Sequence, residues 1–399
     1  MSPPYKFNRL EFAGSLGDLG TLLPLAIGMI MINGLNPSGL FLAVGIFFIF
    51  SGLYYGITVP VQPMKVIGAY AIAMGLSAPQ VLASGALIGL FLLIIGGTGA
   101  VTFVGKYTPK AVVRGVQIST GTLLMTQGVK FMVGASKFQV LKEAAEPYLS
   151  LQTVGPVPIG IVIGVIGGIL TFLLLDNRRL PAGLMVVCGG ILLGLLLGTH
   201  EGFNAFRPGF YVPKILPYGI PSGLDFTLAL LVLVLPQIPM TLGNAVIANA
   251  DLSREYFGED SKKVTYRALC ISQGLANLLS FLVGGMPLCH GAGGLAAHYR
   301  FGARTAGSNL MIGLIFVVLA LFLGTHALAV VYLLPISILG VLLIFAGSQL
   351  ALTIIDLNER KDLFVALVIL GITLASNLAV GFVVGIALAY ALKSERLTV

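Results

Sequence analysis

The sequence predicts an all-α polytopic membrane protein with fourteen transmembrane segments. Three observations carry this. First, 57% of the 399 residues are hydrophobic and only 10% are charged, with a mean hydropathy of +1.00, whereas soluble domains carry roughly 25% charged residues. Second, a helix needs about 20 apolar residues to cross a bilayer. Apolar runs fall near 12–32, 38–57, 60–76, 79–97, 111–129, 157–175, 182–198, 225–249, 265–284, 286–298, 304–323, 327–349, 363–374 and 376–392. Third, with the N-terminus inside, 17 of the 23 lysines and arginines fall in cytoplasmic segments and five in external ones, with Lys65 alone inside the apolar zone. That asymmetry is what the positive-inside rule expects. It places both termini in the cytoplasm, and the cell membrane is the expected location. The net charge of +8 therefore orients the chain in a lipid bilayer and does not call for a nucleic-acid partner.

The remaining bounds are quickly drawn. Charged residues Lys6, Arg9, Glu11 and Asp18 interrupt the N-terminus, so it does not read as a cleavable signal peptide. Cys188, Cys270 and Cys289 all sit in apolar stretches and read as small buried hydrophobes, not a disulfide framework. The longest polar connections are 130–156, 199–224 and 250–264, which leaves no room for a sizeable soluble domain.

The first segment opens Glu11-Phe12-Ala13-Gly14-Ser15-Leu16-Gly17-Asp18. Glu11 reads as an interfacial residue favoured by the helix dipole. Asp18 lies deeper, and an intramembrane carboxylate is either functional or a structural cap on a backbone break. Segments two and four read as ordinary packing helices. The fifth, 111–129, carries Gly115, Ser119, Thr120 and Gly121, small residues that allow close helix approach. The external stretch 130–156 reads as a solvated piece without chemistry. Residues 201–223, with four prolines, read as an external crossover between a first half (1–200) and a second half (224–399). Gln237, Thr241 and Asn244 stand four and three apart. They give the eighth segment one polar face, for substrate or for interhelical hydrogen bonds. Residues 251–264 read as a charged, flexible cytoplasmic loop. His200 and His326 read as solvated.

Two stretches break the pattern. Gly285-Met286-Pro287-Leu288-Cys289-His290-Gly291-Ala292-Gly293-Gly294 and Val61-Gln62-Pro63-Met64-Lys65 are too rich in glycine and proline for lipid-facing helices. Irregular backbone is tolerated at membrane depth only where it is buried in protein or lines a wet cavity. Proline suits the first turn of a helix, so Pro63 and Pro287 each predict a short helix start, with Pro287 opening a helix that runs through Ala297. The two prolines are 224 positions apart, and Leu19-Gly20/Leu242-Gly243, Gly115/Gly340 and Gly121/Gly347 recur at offsets of 223 to 226. Two homologous halves follow, and paired interrupted segments in two halves point to a transporter's binding site. Lys65 reads either as a cation for an anionic substrate or as an ion-pair partner of Asp18. His290 and His298 lack a third ligand at workable spacing, so neither a metal nor a hydrolytic site is expected, and the chain does not read as an enzyme.

Gly17-Asp18-Leu19-Gly20-Thr21, Val61-Gln62-Pro63-Met64-Lys65, Pro236-Gln237-Ile238-Pro239-Met240-Thr241 and Met286-Pro287-Leu288-Cys289-His290-Gly291-Ala292-Gly293-Gly294, followed by Tyr299-Arg300-Phe301-Gly302-Ala303-Arg304, resemble the molybdate transporter family, distant relatives of the sulfate permeases. The resemblance spans nearly the whole chain. It implies two inverted seven-segment repeats divided into core and gate domains, with half-helices at segments three and ten, here Pro63–Ala73 and Pro287–Ala297. The chain stops at Val399, just after its last segment, so the cytoplasmic regulatory domain usual in sulfate permeases is not expected.

The resemblance further implies import of a tetrahedral oxyanion, molybdate first, by alternating access without a cofactor. A sulfate or other anion permease of the same fold is the alternative. The anion is expected between the two half-helix starts, on backbone N–H groups near Met64–Lys65 and Cys289–Gly291. Gln62, Lys65 and His290 are expected to add donors beside Pro63, Met64, Gln237, Thr241, Asn244, Cys289 and Gly291, and Asp18 is the candidate for proton coupling. Relatives of this fold also suggest a homodimer through gate segments.

Overall fold

The computed structural model describes residues 5–101, 109–175, 177, 182–198 and 209–394. It is mostly helical. In chain order the elements are α1 (Arg9–Ser15), α2 (Leu19–Met31), α3 (Pro37–Tyr55), β1 (Gln62–Pro63), α4 (Lys65–Met74), α5 (Ala78–Thr98), α6 (Lys110–Val133), α7 (Lys137–Leu141), β2 (Thr153–Val154), β3 (Val157–Pro158), α8 (Ile159–Leu174) and α9 (Ala182–Leu197). There follow α10 (Gly223–Ser261), α11 (Tyr266–Val283), β4 (Leu288–Cys289), α12 (Ala292–Phe301), α13 (Ala306–Leu323), α14 (Ala327–Val331), α15 (Ile336–Ala351), α16 (Arg360–Ala375) and α17 (Leu378–Ala391). Among the described residues, six helices are long and apolar enough to cross a membrane, or seven if α1 and α2 form one crossing bent by 45°. Helices α4, α8, α9 and α17 are apolar but shorter. Large side chains such as Val165, Ile166, Ile169 and Phe172 on α8 are exposed, as a surface facing lipid requires.

Helices from the two halves of the chain interlock through glycine. A Cβ built on Gly121 of α6 would lie 2.5 Å from the Gly347 carbonyl of α15, and one on Gly347 would lie 2.6 Å from the Gly121 carbonyl. Gly45 of α3 meets Gly313 of α13, and Gly89 of α5 meets Gly274 of α11, in the same way. Without a hydrophobic drive between helices in lipid, backbone contact of this kind supplies the van der Waals attraction that holds them.

Several boundaries depart from the sequence expectation. The eighth segment does not end near 249; α10 runs on to Ser261, so 251–264 is largely helical and not a loop. Pro236 and Pro239 deprive the helix of two N–H donors, and π-helical turns at Ala229–Val234 and Thr241–Ala248 flank them. Such local widening accommodates backbone groups that proline leaves without partners. The run 327–349 is interrupted: α14 ends at Val331 and α15 starts after Pro335.

The stretch 130–156 is not merely solvated. Glu146 is fully buried, and its carboxylate accepts the Ile336 and Ser337 N–H groups at 2.8 and 2.9 Å, capping α15. Burial holds its carboxyl above the ordinary carboxylate range, opposed by those hydrogen bonds. Glu11, likewise, is buried and accepts the Arg304 and Thr305 N–H groups ahead of α13, so it serves a distant helix start instead of its own. Cys188 is exposed, while Cys270 and Cys289 are buried. His326 is partly buried and stands 5.2 Å, centroid to centroid, from the Tyr211 ring. His200 lies outside the described residues.

Candidate functional site

Two helices stop early so that two extended strands can meet. Gly56 ends α3 and Gly284 ends α11, both with positive φ (75° and 77°) that glycine adopts without strain. The chain then runs extended from each. Gln62 pairs with Cys289 and Pro63 with Leu288 in an antiparallel ladder, and the Met64 N–H donates to the Pro287 carbonyl at 2.9 Å. Pro287 is thus in extended backbone and not in a first turn. Helix α12 begins at Ala292, with Gly291 as its N-cap, and α4 begins at Lys65. The reason is that each strand's polar backbone groups must be satisfied at this depth, and the other strand is the nearest source of partners.

Two asparagines hold the ladder from outside. The Asn277 side chain donates to the Leu288 carbonyl and accepts its N–H, at 2.8 and 2.9 Å. The Asn309 side chain does the same for Val59, at 2.6 and 3.2 Å. Sequence reading singled out neither. A buried asparagine in an apolar helix facing a glycine- and proline-broken stretch is the signal that was there to use.

The ladder draws some expected site residues together and turns others away. The His290 ring is fully buried; its Nδ1 donates to the Pro60 carbonyl at 2.7 Å, which leaves Nε2 to accept from the Ser272 hydroxyl at 3.1 Å. Phe47 and Tyr55 pack around it. No ring N–H remains for an anion. The Gln237 carboxamide oxygen accepts from Val66 and Ile67, at 3.0 and 3.2 Å, and its Nε2 donates to Thr241 at 2.9 Å. The start of α4 is therefore capped from within, apart from Lys65. Met64 is committed to the ladder, and the buried Cys289 thiol faces the Pro63 carbonyl at 3.7 Å. Of the donors expected from Met64–Lys65 and Cys289–Gly291, the Met64 N–H is therefore already taken by the Pro287 carbonyl.

What remains open is a cavity of about 440 Å³ between α2, α4, α10 and α12 on one side and α6, α8, α9 and α15 on the other. Lys65, Asn244, Gly293, Gln117 and Thr21 line it. Lys65 makes no ion pair or hydrogen bond among the described residues, so of its two sequence readings the ion pair with Asp18 is not formed here. Gly293 belongs to the first turn of α12, which has no side-chain cap at Gly291; the Gly294 N–H already donates to the Gly291 carbonyl at 3.1 Å, and the N–H groups ahead of it have no intrahelical acceptor.

Just behind that turn, Gln62 donates to the Asp18 carboxylate at 2.6 Å, and both side chains are buried. The second carboxylate oxygen, Asp18 Oδ2, and the Gln62 carboxamide oxygen Oε1 have no hydrogen-bond partner among the described residues. The glycines of this stretch make room for the pair. A Cβ on Gly294 would lie 2.5 Å from Asp18 Oδ2 and 2.8 Å from Gln62 Nε2, and one on Gly291 would collide with Gln62 Oε1. His298 is also buried, against the Thr58 hydroxyl (2.8 Å) and the Phe48 ring. No cluster of three metal-ligating side chains occurs among the described residues.

Such an arrangement, an ammonium beside an uncapped helix start, suits an anion. Residues 10–124 and 229–350 match the family described as "Molybdate transporter of MFS superfamily". Molybdate transporter 2 of Arabidopsis thaliana is 32% identical, over 97% of this chain and 88% of its own length. Molybdate transporter 1 of the same plant is 30% identical, over 94% and 86%. Among solved structures, the transmembrane domain of the cyanobacterial bicarbonate transporter BicA superposes with a TM-score of 0.67 at 16% identity, covering 96% of this chain and 98% of that one. SLC26A9 superposes at 0.64 with 14% identity; the chain spans 65% of its length. The fold is that of these membrane proteins, and the relatives are transporters, not enzymes. The chain belongs to the molybdate transporter family and is an integral membrane transporter.

Proposed function

We propose that the chain is a secondary active transporter that imports a tetrahedral oxyanion, molybdate first, by alternating access. The observation that carries this reading is the cavity in which the unpaired Lys65 ammonium, the Asn244 amide and the start of α12 at Gly293 converge. A helix start presents roughly half a positive charge. With Lys65 it offsets most of a dianion's charge, and the Asn244 amide adds a neutral donor. Asp18 and Gln62 stand behind the site. Protonating Asp18 removes a negative charge next to the anion, so proton and anion favour each other, which is proton-coupled symport.

In this reading α4 and α12 are the half-helices of segments three and ten in a fourteen-segment fold. Residues 1–200 and 224–399 are its inverted repeats, joined by the crossover 201–223. The interlocking supports it: exchanging segments two with nine and four with eleven converts the α3–α13 contact into the α11–α5 contact, while α6 and α15, segments five and twelve, pack on each other. α6 and α15 then belong to the gate, and α4, α10 and α12 to the core that moves against it. Both termini lie in the cytoplasm, the protein sits in the cell membrane, and a homodimer forms through gate helices.

The test is molybdate binding to purified protein by calorimetry, with sulfate as competitor, on wild type and Lys65→Ala. Molybdate binding that resists excess sulfate and weakens at least about tenfold in the variant supports substrate and site together. Equal competition moves the reading to a sulfate or general anion permease. Absence of binding by either anion overturns both. For coupling, Asp18→Asn is expected to abolish the pH dependence of uptake; an unchanged pH profile removes Asp18 from that role.

A further inference from the structure

We propose a second anion station, formed by Lys110, Arg114 and Asn244, between the Lys65 cavity and the protein face that carries most of the basic residues. The proposal rests on the oxyanion-transport reading and extends it to the route by which the anion leaves. A separate cavity of about 260 Å³ is lined by Lys110, Arg114, Met240, Gly243 and Asn244. Met240 and Asn244 also line the larger cavity, so the two share a wall on α10. The cations stand on α6, and the space lies between α6 and α10.

The cations are already holding a carboxylate. Arg114 grips Asp356, just beyond α15, with Nε 2.9 Å from Oδ1 and Nη2 2.5 Å from Oδ2. Lys110 Nζ lies 3.2 Å from Oδ2 and donates to the Asp356 carbonyl at 3.0 Å. Two cations facing one carboxylate leave one positive charge uncompensated. The guanidinium fork fits planar carboxylate and tetrahedral oxyanion alike. Asp356, which is not among the residues lining the cavity, is thus a tethered competitor for the two cations that an arriving dianion displaces, and it returns when the dianion leaves. The three side chains are 55%, 22% and 43% exposed for Lys110, Arg114 and Asp356, so solvent reaches them.

Arg114 is also wired to the larger cavity. Its Nη1 donates to Gln117 Oε1 at 2.7 Å, and Gln117, which lines that cavity, donates to Met240 Sδ at 3.0 Å. An anion moving from Lys65 past Asn244 therefore meets Gln117 and then Arg114, with a cation at each end of the path.

The experiment uses the full chain in proteoliposomes, with molybdate supplied from either face. Lys110→Gln with Arg114→Gln is expected to raise KM for molybdate at the basic face about tenfold or more and to leave KM at the opposite face within about twofold. Asp356→Asn, which removes the competing carboxylate, is expected to lower KM at the basic face. Unchanged KM values in all variants, with normal wild-type transport, overturn the station alone. An Asp356→Asn variant that raises KM as much as loss of the cations does so too, because it marks the trio as a structural tie only. No molybdate transport by the wild type overturns the transport reading and the station with it. Should the double variant fail to fold, Lys110→Gln alone, at the most exposed of the three side chains, gives the same reading of KM at each face.

Discussion

The Gln237 carboxamide oxygen accepts the backbone N–H of Val66 at 3.0 Å, and that of Ile67 at 3.2 Å, across a sequence separation of 171 and 170 residues. One side chain on α10 thereby caps α4 and fixes the position of Lys65. Gln237→Ala leaves two buried donors without an acceptor, at a cost of about 1–3 kcal/mol for each. A clearly lowered melting temperature in detergent is expected, with weaker molybdate binding because Lys65 is no longer held in place. A variant melting like wild type refutes the cap.

His290 and Lys65 separate structure from binding. His290→Ala removes a ring wedged between Phe47 and Tyr55 and leaves the Pro60 carbonyl without its donor. A loss of about 3–5 kcal/mol is expected from cavity and lost hydrogen bond, with molybdate affinity retained in whatever fraction folds. Lys65→Ala is expected to do the reverse. Thermal melts and calorimetry on both variants check this, and loss of affinity in a well-folded His290 variant restores the histidine to the site.

Gly121 and Gly347 test the packing of α6 on α15. Gly121→Ala sets a methyl against the Gly347 carbonyl at 2.5 Å and is expected to cost about 1–3 kcal/mol. Gly168→Ala on α8 meets nothing within 4 Å and is expected to be neutral or slightly stabilising. Equal melting temperatures for the two variants contradict the close contact.

Glu146 gives a pH signature with a definite sign. Burial raises its carboxyl above the ordinary 4.5 in the folded protein, so the folded state holds the proton more tightly than the unfolded chain. Its contribution to stability is whole below about pH 4.5 and is lost as pH rises through the folded-state value. Melting temperature is therefore expected to fall across that window in wild type. Glu146→Gln, whose one carboxamide oxygen keeps an acceptor for one of the Ile336 and Ser337 N–H groups and which does not titrate, flattens the curve. A slope identical in both proteins assigns the titration elsewhere.

Much of this protein was legible in one dimension because lipid imposes simple rules. Length and apolarity alone located most of the helices, since a bilayer accepts only backbone that satisfies itself. The two broken stretches stood out because Pro63, Pro287 and the glycines around them violate those rules. Lys65 and Asp18 stood out because charge is costly at that depth. The family motifs lay in the same stretches.

Which of the polar residues face the cavity was decided only by the tertiary structure. Gln62, Gln237, His290 and Asn244 look equivalent in sequence, each a hydrogen-bonding group in an oily run. Pairing of β1 with β4 then committed the backbone of the broken stretches, and each nearby side chain was drawn to whichever buried partner remained. Gln237 went to Val66 and Ile67, His290 to Pro60 and Ser272, and Gln62 to Asp18. Lys65 and Asn244 were left lining the open space. The partners lie tens to hundreds of residues away, as do Glu146 from Ile336 and Arg114 from Asp356. No local pattern encodes such pairings, because they depend on how the two halves of the chain interlock.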